Sequence, residues 1–244
     1  MKDLFSSHSA SYAKYRPNYP SELFDFVSSH CQQRENAWDC ATGNGQTAIA
    51  LSRYFTMVYA TDLSQRQIEQ AVPSGNVHYS VQAAEKVNFA NDQFDLVTVS
   101  QALHWFDFEK FYAEVNRVGR TGCVVAAWSY SLFTISPDID DVVYDFYENV
   151  IGGYWDPERK YVEEEYKSIP FPFVEIPAPK FEMRFRWNPE QIQGYFNTWS
   201  AVQKFIAANS LDPVDELMKK IAKISGSEME VVFPIHLRMG RIRK

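Results

Sequence analysis

Seven residues, Asp39-Cys40-Ala41-Thr42-Gly43-Asn44-Gly45, have the types and spacing best suited to hold a ligand. They end a short apolar run that begins at Ala37 and precede a helical periodicity through Ala48, Leu51 and Phe55. Glycines at such a strand-to-helix turn let backbone approach a ligand without side-chain obstruction, beside the N–H groups that open the helix. By themselves Gly43 and Gly45 fit a tight βα connection as well as a binding loop. Asp62, at the end of the next apolar run, adds a carboxylate able to accept both hydroxyl protons of a ribose. Its separation from Gly43 is close to the ~20 residues of nucleoside-binding βαβ units.

Two nucleoside ligands suit these residues. Gly43, Gly45 and Ala48 satisfy the G-x-G-x-x-A pattern of dinucleotide sites, which points to NAD and an oxidoreductase. Asp39 points the other way. A carboxylate just before the turn would meet a cationic ammonium and repel a pyrophosphate, which favours S-adenosylmethionine. The same carboxylate can also cap the turn by accepting backbone N–H groups.

Further candidates flank the turn. Tyr12 and Arg16, four apart, project a phenol and a guanidinium to one side of a short helix, and a guanidinium is a good fork for a carboxylate. His104 directly follows the fourth apolar run, where a general base would sit or a structural hydrogen bond would be made. Tyr12, Trp105 and Trp128 are placed to offer aromatic faces to a sulfonium, an attraction of ~0.5–2 kcal/mol, or to fill core. Tyr154, Trp155, Trp187 and Trp199 are candidates for the walls of an acceptor pocket or for gluing a cap to the sheet.

The elements that must position these residues are legible from periodicity. Apolar runs at 37–40, 57–60, 77–81, 94–99 and 123–128 alternate with helical patterns, as in a parallel sheet covered on both faces. Phe108, Phe111, Tyr112, Val115 and Val118 share a helical face behind Asp107 as N-cap. Ser136-Pro137 opens a helix with the stripe Ile139, Val142, Val143, Phe146, Tyr147 and Val150, broken at Gly152-Gly153. Prolines 170, 172, 177 and 179 mark an ordered crossing segment. Strand alternation returns over 181–187, a helix starts near Asp212-Pro213, and a last strand runs over 229–240, in which Pro234 implies a bulge or an unpaired position.

Composition narrows the function classes. A chain of 244 residues with 45% hydrophobic content suffices for one sizeable α/β domain with elaborations. The net charge of -7 opposes nucleic acid as a partner. The C-terminal Arg238, Arg241, Arg243 and Lys244 read as a solvated tail or sheet edge. Cys31, Cys40 and Cys123 form no paired spacing, which argues against structural zinc and for a reducing compartment. No run is long and apolar enough for a membrane span, and the expected setting is cytoplasmic, with no metal site.

Several strings together resemble a known family. Asp39-x-Ala41-x-Gly43-x-Gly45, Thr61-Asp62-Leu63-Ser64, Gln82-Ala83-Ala84-Glu85 and the run from Phe94 to Trp105 look like successive motifs of class I S-adenosylmethionine-dependent methyltransferases. Tyr12-Ala13-Lys14-Tyr15-Arg16-Pro17-x-Tyr19-Pro20 and Gln101-Ala102-x-His104-Trp105 resemble the methyltransferase type 11 group, in particular its trans-aconitate methyltransferase-like branch. The resemblance is specific from Phe5 to Trp128 and loose beyond it.

It implies a Rossmann-like, mostly parallel seven-stranded sheet with helices on both faces and an inserted helical cap. Residues 1–35 would be an N-terminal helical lid, 36–130 the cofactor-binding core, and 131–180 and 188–227 the cap of a single domain whose last strands are 181–187 and 229–240. The turn from Asp39 through Ala41, Gly43, Asn44 and Gly45 would receive the methionine moiety, Asp62 the ribose, and Leu63, Ala84 and Glu85 the adenine. Gln101 would lie near the methionine end, with Tyr12 and Arg16 closing on its carboxylate. His104 and Trp105 would serve the chemistry, and the acceptor would be a small molecule, a carboxylate by analogy with the branch. Ala41 departs from the family's usual first glycine. A non-catalytic adenosylmethionine-binding module and an RNA methyltransferase are further readings; the latter conflicts with the acidic charge and with Ser100-Gln101-Ala102-Leu103 in place of an Asn-Pro-Pro-Tyr-type string.

Overall fold

The apolar runs of the first half form strands because their residues are buried on both faces, as a parallel sheet between helices requires. In the computed structural model, which describes Tyr15 and residues 17–244, these strands are β1 (Asn36–Cys40), β2 (Met57–Asp62), β3 (Val77–Val81), β4 (Phe94–Ser100) and β5 (Gly119–Tyr130). They pair in parallel in the order β3-β2-β1-β4-β5. Two short strands follow, β6 (Val174–Glu175) and β7 (Phe181–Trp187), and then the long β8 (Met229–Arg241). β8 runs antiparallel to β5, β6 and β7.

The expected seven-stranded sheet is thus present, and β6 adds a two-residue eighth strand from within the proline-spaced stretch. Pro172 and Pro177 flank it, and a proline cannot donate to a ladder, which keeps it short. Pro234 sits opposite Glu182 on the β7 side. Its missing N–H falls on the other side, between the Ile235–Tyr130 pair and the Val232–Thr134 bridge, where β5 has left the sheet. The unpaired position expected of this proline is there.

Helices cover both faces. α1 (Ser21–Ser29) and α2 (Gln46–Leu51) bury Leu23, Phe24, Val27, Ala48 and Leu51 against one face, with Ala37, Ala60 and Leu96. α3 (Gln65–Glu69) follows β2, its first turn capped by Ser64. α4 (Phe108–Val118), capped by Asp107, buries Phe111, Val115 and Val118 against the other face, with Trp38, Val97 and Val99.

The second half contributes α5 (Pro137–Asp145), continued by a π-turn over Phe146–Val150, then α6 (Arg159–Glu163), α7 (Pro189–Phe196), α8 (Ser200–Asn209) and α9 (Val214–Ile221). Asn188 and Gln191 form a capping box on α7. Asp212 accepts the Val214 N–H at 2.9 Å, so the residue expected to cap α9 does so one step early. Phe146, Ile192, Phe196, Trp199, Val202 and Leu217 join the α1/α2 core, which ties α5, α7, α8 and α9 to that face, while Val162 of α6 joins the α4-side core. Among the described residues no helix is long and apolar enough to cross a membrane.

Candidate active site

β2 and β3 lie to one side of β1 while β4 and β5 lie to the other, so the chain leaves the ends of β1 and β4 in opposite directions and opens a crevice between them. A non-glycine residue in the left-handed region follows each strand, Ala41 at φ +53° and Gln101 at φ +56°. Each carries a strain of roughly 1–2 kcal/mol and turns the chain sharply off the sheet. Gln101 is held there by its N–H to the Trp128 carbonyl at 2.9 Å and its side-chain amide to the Tyr130 carbonyl at 3.3 Å.

The glycine turn is anchored from below. Thr42 N–H donates to the Thr61 carbonyl at 2.9 Å, and Gly43 N–H, at φ +57°, donates to Asp62 Oδ2 at 2.8 Å. Asp62 Oδ1 accepts the Ser64 N–H at 2.8 Å, so one carboxylate joins the turn to the start of α3. A carboxylate offers about four acceptor positions, and these two bonds use one on each oxygen. A Cβ placed on Gly43 would meet no atom of the described residues within 4 Å, whereas one on Gly45 would press on the Tyr79 ring, with Cε1 at 2.9 Å. Gly43, the adjoining Asn44, the Asp62 carboxylate and Leu63, which is 36% exposed, form a seat at the ends of β1 and β2. Glu85 stands beyond β3 and accepts the Asp107 N–H at 3.2 Å, while Ala84 is buried in the α4-side core.

Asp39 does not face this seat. It is fully buried and accepts hydrogen bonds from Thr42 Oγ1 at 2.5 Å and Thr98 Oγ1 at 2.8 Å, with the Ala48 N–H also directed at it. Burial pushes its carboxyl up to about 7 against those donors, and the nearby Asp62 charge adds to the rise. The carboxyl braces the turn between β4 and α2.

At the end of β4 a 3-10 turn over Leu103–Trp105 carries His104, whose Nδ1 lies 2.9 Å from the Tyr166 hydroxyl. Tyr166 arrives from just beyond α6 through two successive left-handed residues, Glu165 at φ +57° and Tyr166 at φ +61°. Arg238 fixes this corner by donating to the Tyr166 and Ile169 carbonyls. Burial holds the Tyr166 phenol well above its ordinary range, opposed in part by Arg159 and by the His104 and Leu103 N–H groups directed at its oxygen. The hydroxyl and Nδ1 share one hydrogen bond, in which the phenol donates if the neutral ring carries its hydrogen on Nε2 and the imidazole donates if it carries it on Nδ1. Burial, and secondarily the Arg159 charge, depress the imidazole to about 3, so it is uncharged at neutral pH. Nε2 hydrogen-bonds no described residue. A ring this hard to protonate is a poor base, and of the two roles expected at its position the hydrogen bond is the one the structure shows.

The ring lines a cleft of about 670 Å³, open solvent included, walled by Gln101, Trp105, Tyr130, Trp155, Tyr195 and Trp199. Among the described residues two charged side chains face it. Asp156 is paired with Lys204 at 2.6 Å, and the Arg159 guanidinium lies over the Trp155 ring, 4.8 Å from its centre. Trp155 and Trp199 are thus cleft walls. Trp187 packs on Phe233 and Tyr195, Tyr154 packs on Phe205, and Trp128 is wholly buried against Tyr19 and Phe24.

Tyr12 and Arg16 lie outside the described residues, so only their neighbour Tyr15 can be placed: its ring covers Gly194 of α7. Thr42, Thr98, Tyr166 and Arg159 were not singled out from the sequence. Thr98 and Tyr166 reach their partners across 59 and 62 residues, a separation no local pattern encodes. The only signal for Arg159 was its place among aromatic residues of the expected cap. Among the described residues no group of acidic, histidine and cysteine side chains is placed to hold a metal ion.

A glycine turn after β1, a carboxylate at the end of β2 and a cleft at the end of β4 are the arrangement of an α/β nucleoside-binding fold. Residues 38–127 match the methyltransferase domain family model. A Dictyostelium discoideum protein named as a methyltransferase is 34% identical over 249 aligned residues, covering 98% of this chain and 95% of that one. A Saccharomyces cerevisiae protein named as an S-adenosylmethionine-dependent methyltransferase is 25% identical over 66% of this chain and 57% of its own. The structure of a type II methyltransferase of Anaeromyxobacter dehalogenans superposes with a TM-score of 0.87 at 37% identity, covering 94% of this chain and 99% of that one. The chain belongs to the class I S-adenosylmethionine-dependent methyltransferases. Its cofactor is S-adenosylmethionine, which settles the choice left open between that ligand and NAD.

Proposed function

We propose that this methyltransferase acts on a small-molecule carboxylate, in line with the trans-aconitate methyltransferase-like branch its motifs resemble. The observation that carries the reading is that, among the described residues, the cleft at the end of β4 presents a cation and an imidazole too hard to protonate to serve as a base. Arg159 offers its guanidinium, Asp156 is held by Lys204, and in this reading the Tyr166 hydroxyl donates to His104 Nδ1, so that His104 offers Nε2–H. A hydroxyl or ammonium acceptor would have to lose a proton here, whereas a carboxylate is already ionised at neutral pH.

S-adenosylmethionine supplies a methyl group on a sulfonium, transferred in line as a new O–CH3 bond forms and the C–S electron pair returns to sulfur. No proton is released, so positioning and exclusion of water are what the protein contributes. In this reading Asp62 holds the ribose, Gly43 and Asn44 admit the methionine moiety, and Leu63 and Glu85 flank the adenine. Gln101 stands at the methionine end, and Tyr12 and Arg16 close on the cofactor carboxylate. Asp39 and Ala41 act through the conformation of the turn, and Ala84 through packing beneath the base. Trp105 turns an aromatic face to the reacting centre. The elements within 131–180 and 188–227 are the cap that shields the cleft, and the N-terminal lid meets them where Tyr15 covers Gly194. The free thiols of Cys31, Cys40 and Cys123 suit a cytoplasmic setting.

Incubation with methyl-labelled adenosylmethionine and a panel of carboxylic acids, amines and alcohols tests this. A methyl ester releases labelled methanol in alkali, so alkali-labile label from acids is the expected result. Label confined to alkali-stable products of amines or alcohols would overturn the carboxylate assignment.

A further inference from the structure

We infer that Arg159 is the acceptor-binding residue that selects one anionic head on a flat apolar body. The inference rests on the methyl-transfer reading and deepens it. Arg159 opens α6 and lies over the Trp155 ring at 4.8 Å and the Tyr147 ring at 5.5 Å, while its Nε donates to the Tyr147 hydroxyl at 2.8 Å. Tyr147 in turn donates to Glu163 at 2.5 Å, so the Glu163 carboxylate reaches the guanidinium through a phenol. Among the described residues Arg159 forms no ion pair, and its two terminal nitrogens donate to none of them. A guanidinium held at Nε by the Tyr147 hydroxyl and set over the Trp155 ring keeps its outer edge in place, and that edge is the one that grips a carboxylate through two parallel N–H groups.

The surroundings restrict what the fork receives. Asp156 is the other charged residue facing the cleft, and Lys204 neutralises it. Among the described residues one uncompensated positive charge therefore faces a space walled by Trp105, Tyr130, Trp155 and Trp199, with Gln101, Ser131 and Ser200 as uncharged polar groups. Such walls favour aromatic or unsaturated bodies and penalise a second charge, which would enter without a partner. In the same reading His104 Nε2–H adds a neutral donor on the β4 side of the same cleft, able to meet a carboxylate that Arg159 holds from the α6 side.

The test uses the full chain saturated with adenosylhomocysteine and reads the fluorescence of the cleft tryptophans. Phenylacetate, the uncharged isostere phenylacetamide, and succinate serve as probes. The expected result is binding of phenylacetate at least tenfold tighter than either of the others. In Arg159→Met the phenylacetate-to-phenylacetamide preference should fall to within twofold while the Kd for adenosylhomocysteine stays within twofold of the parent. Arg159→Lys, which keeps the charge without the fork, should retain part of the preference. Equal binding of the two phenyl probes by the parent, no saturable binding of either, or a preference that survives in Arg159→Met would overturn the assignment. Succinate binding tighter than phenylacetate would overturn the single-charge, apolar-body part. If the parent fails to bind adenosylhomocysteine, the methyl-transfer reading falls; if it binds adenosylhomocysteine without discriminating the probes, only the role of Arg159 falls.

Discussion

Tyr166→Phe removes one hydroxyl and thereby tests whether His104 is a donor or a base. The hydroxyl is the hydrogen-bond partner of Nδ1 in a residue that is only 7% exposed. Leaving such a buried group without a partner costs about 1–3 kcal/mol. In a chain of this size each kcal/mol lowers Tm by about 2–4 °C, so a loss of roughly 4–8 °C is expected for the middle of that range. Thermal unfolding measures it. Nitrogen-15 NMR of histidine-labelled protein measures the chemistry: the parent should show His104 with a protonated Nε2, a bare Nδ1 and no titration from pH 5 to 8. Tyr166→Phe should relax the tautomer preference. A His104 resonance titrating near 6.5, or a protonated Nδ1 in the parent, would refute the donor assignment and restore the base.

The pH dependence of stability gives a second test, in His104→Gln. The imidazole titrates near 6.5 when unfolded and at about 3 in the fold, so between those values the unfolded chain binds a proton that the fold excludes. Its contribution to stability is therefore present above 6.5 and declines as pH falls, by about 1.4 kcal/mol per unit. Asp39, raised to about 7, acts in the opposite sense between about pH 4 and 7, so the parent must be compared with the variant. From pH 7 to 5 the parent should lose about 2 kcal/mol more than His104→Gln in denaturant unfolding; equal losses would show that the ring is not held neutral. Asp62→Ala should weaken adenosylhomocysteine binding by about 1.5–3 kcal/mol and also lower Tm, because the Gly43 and Ser64 N–H groups lose their acceptor. Calorimetry showing unchanged affinity would remove Asp62 from the site. Ala41→Gly should be neutral or stabilising by about 1 kcal/mol, since relief at φ +53° outweighs the usual glycine cost; a clear loss of stability would mean that the alanine methyl is needed for packing.

The order of strands, the glycine turn and the place of Asp62 were legible in the sequence because each is encoded by residues a few positions apart. Alternation marks a strand, a proline or a cap marks a helix start, and a glycine marks a turn that requires a positive φ. The long-range pairings could not be read that way. Asp39 read as a group facing a cation or as a cap of the turn, and its register opposite Thr98 on β4 shows it buried as a brace of the turn. His104 read as a base or as a structural hydrogen-bonding group, and a tyrosine 62 residues away, carried in on a left-handed corner, gives Nδ1 its partner. Residue type and spacing therefore marked the Asp39–Gly45 turn and Asp62 as candidates for a nucleoside site, because such a seat is built from backbone conformation, while membership of the family decided between S-adenosylmethionine and NAD. Which charges and protons face the acceptor was decided only by tertiary structure, since protonation and pairing depend on which distant groups share a buried space.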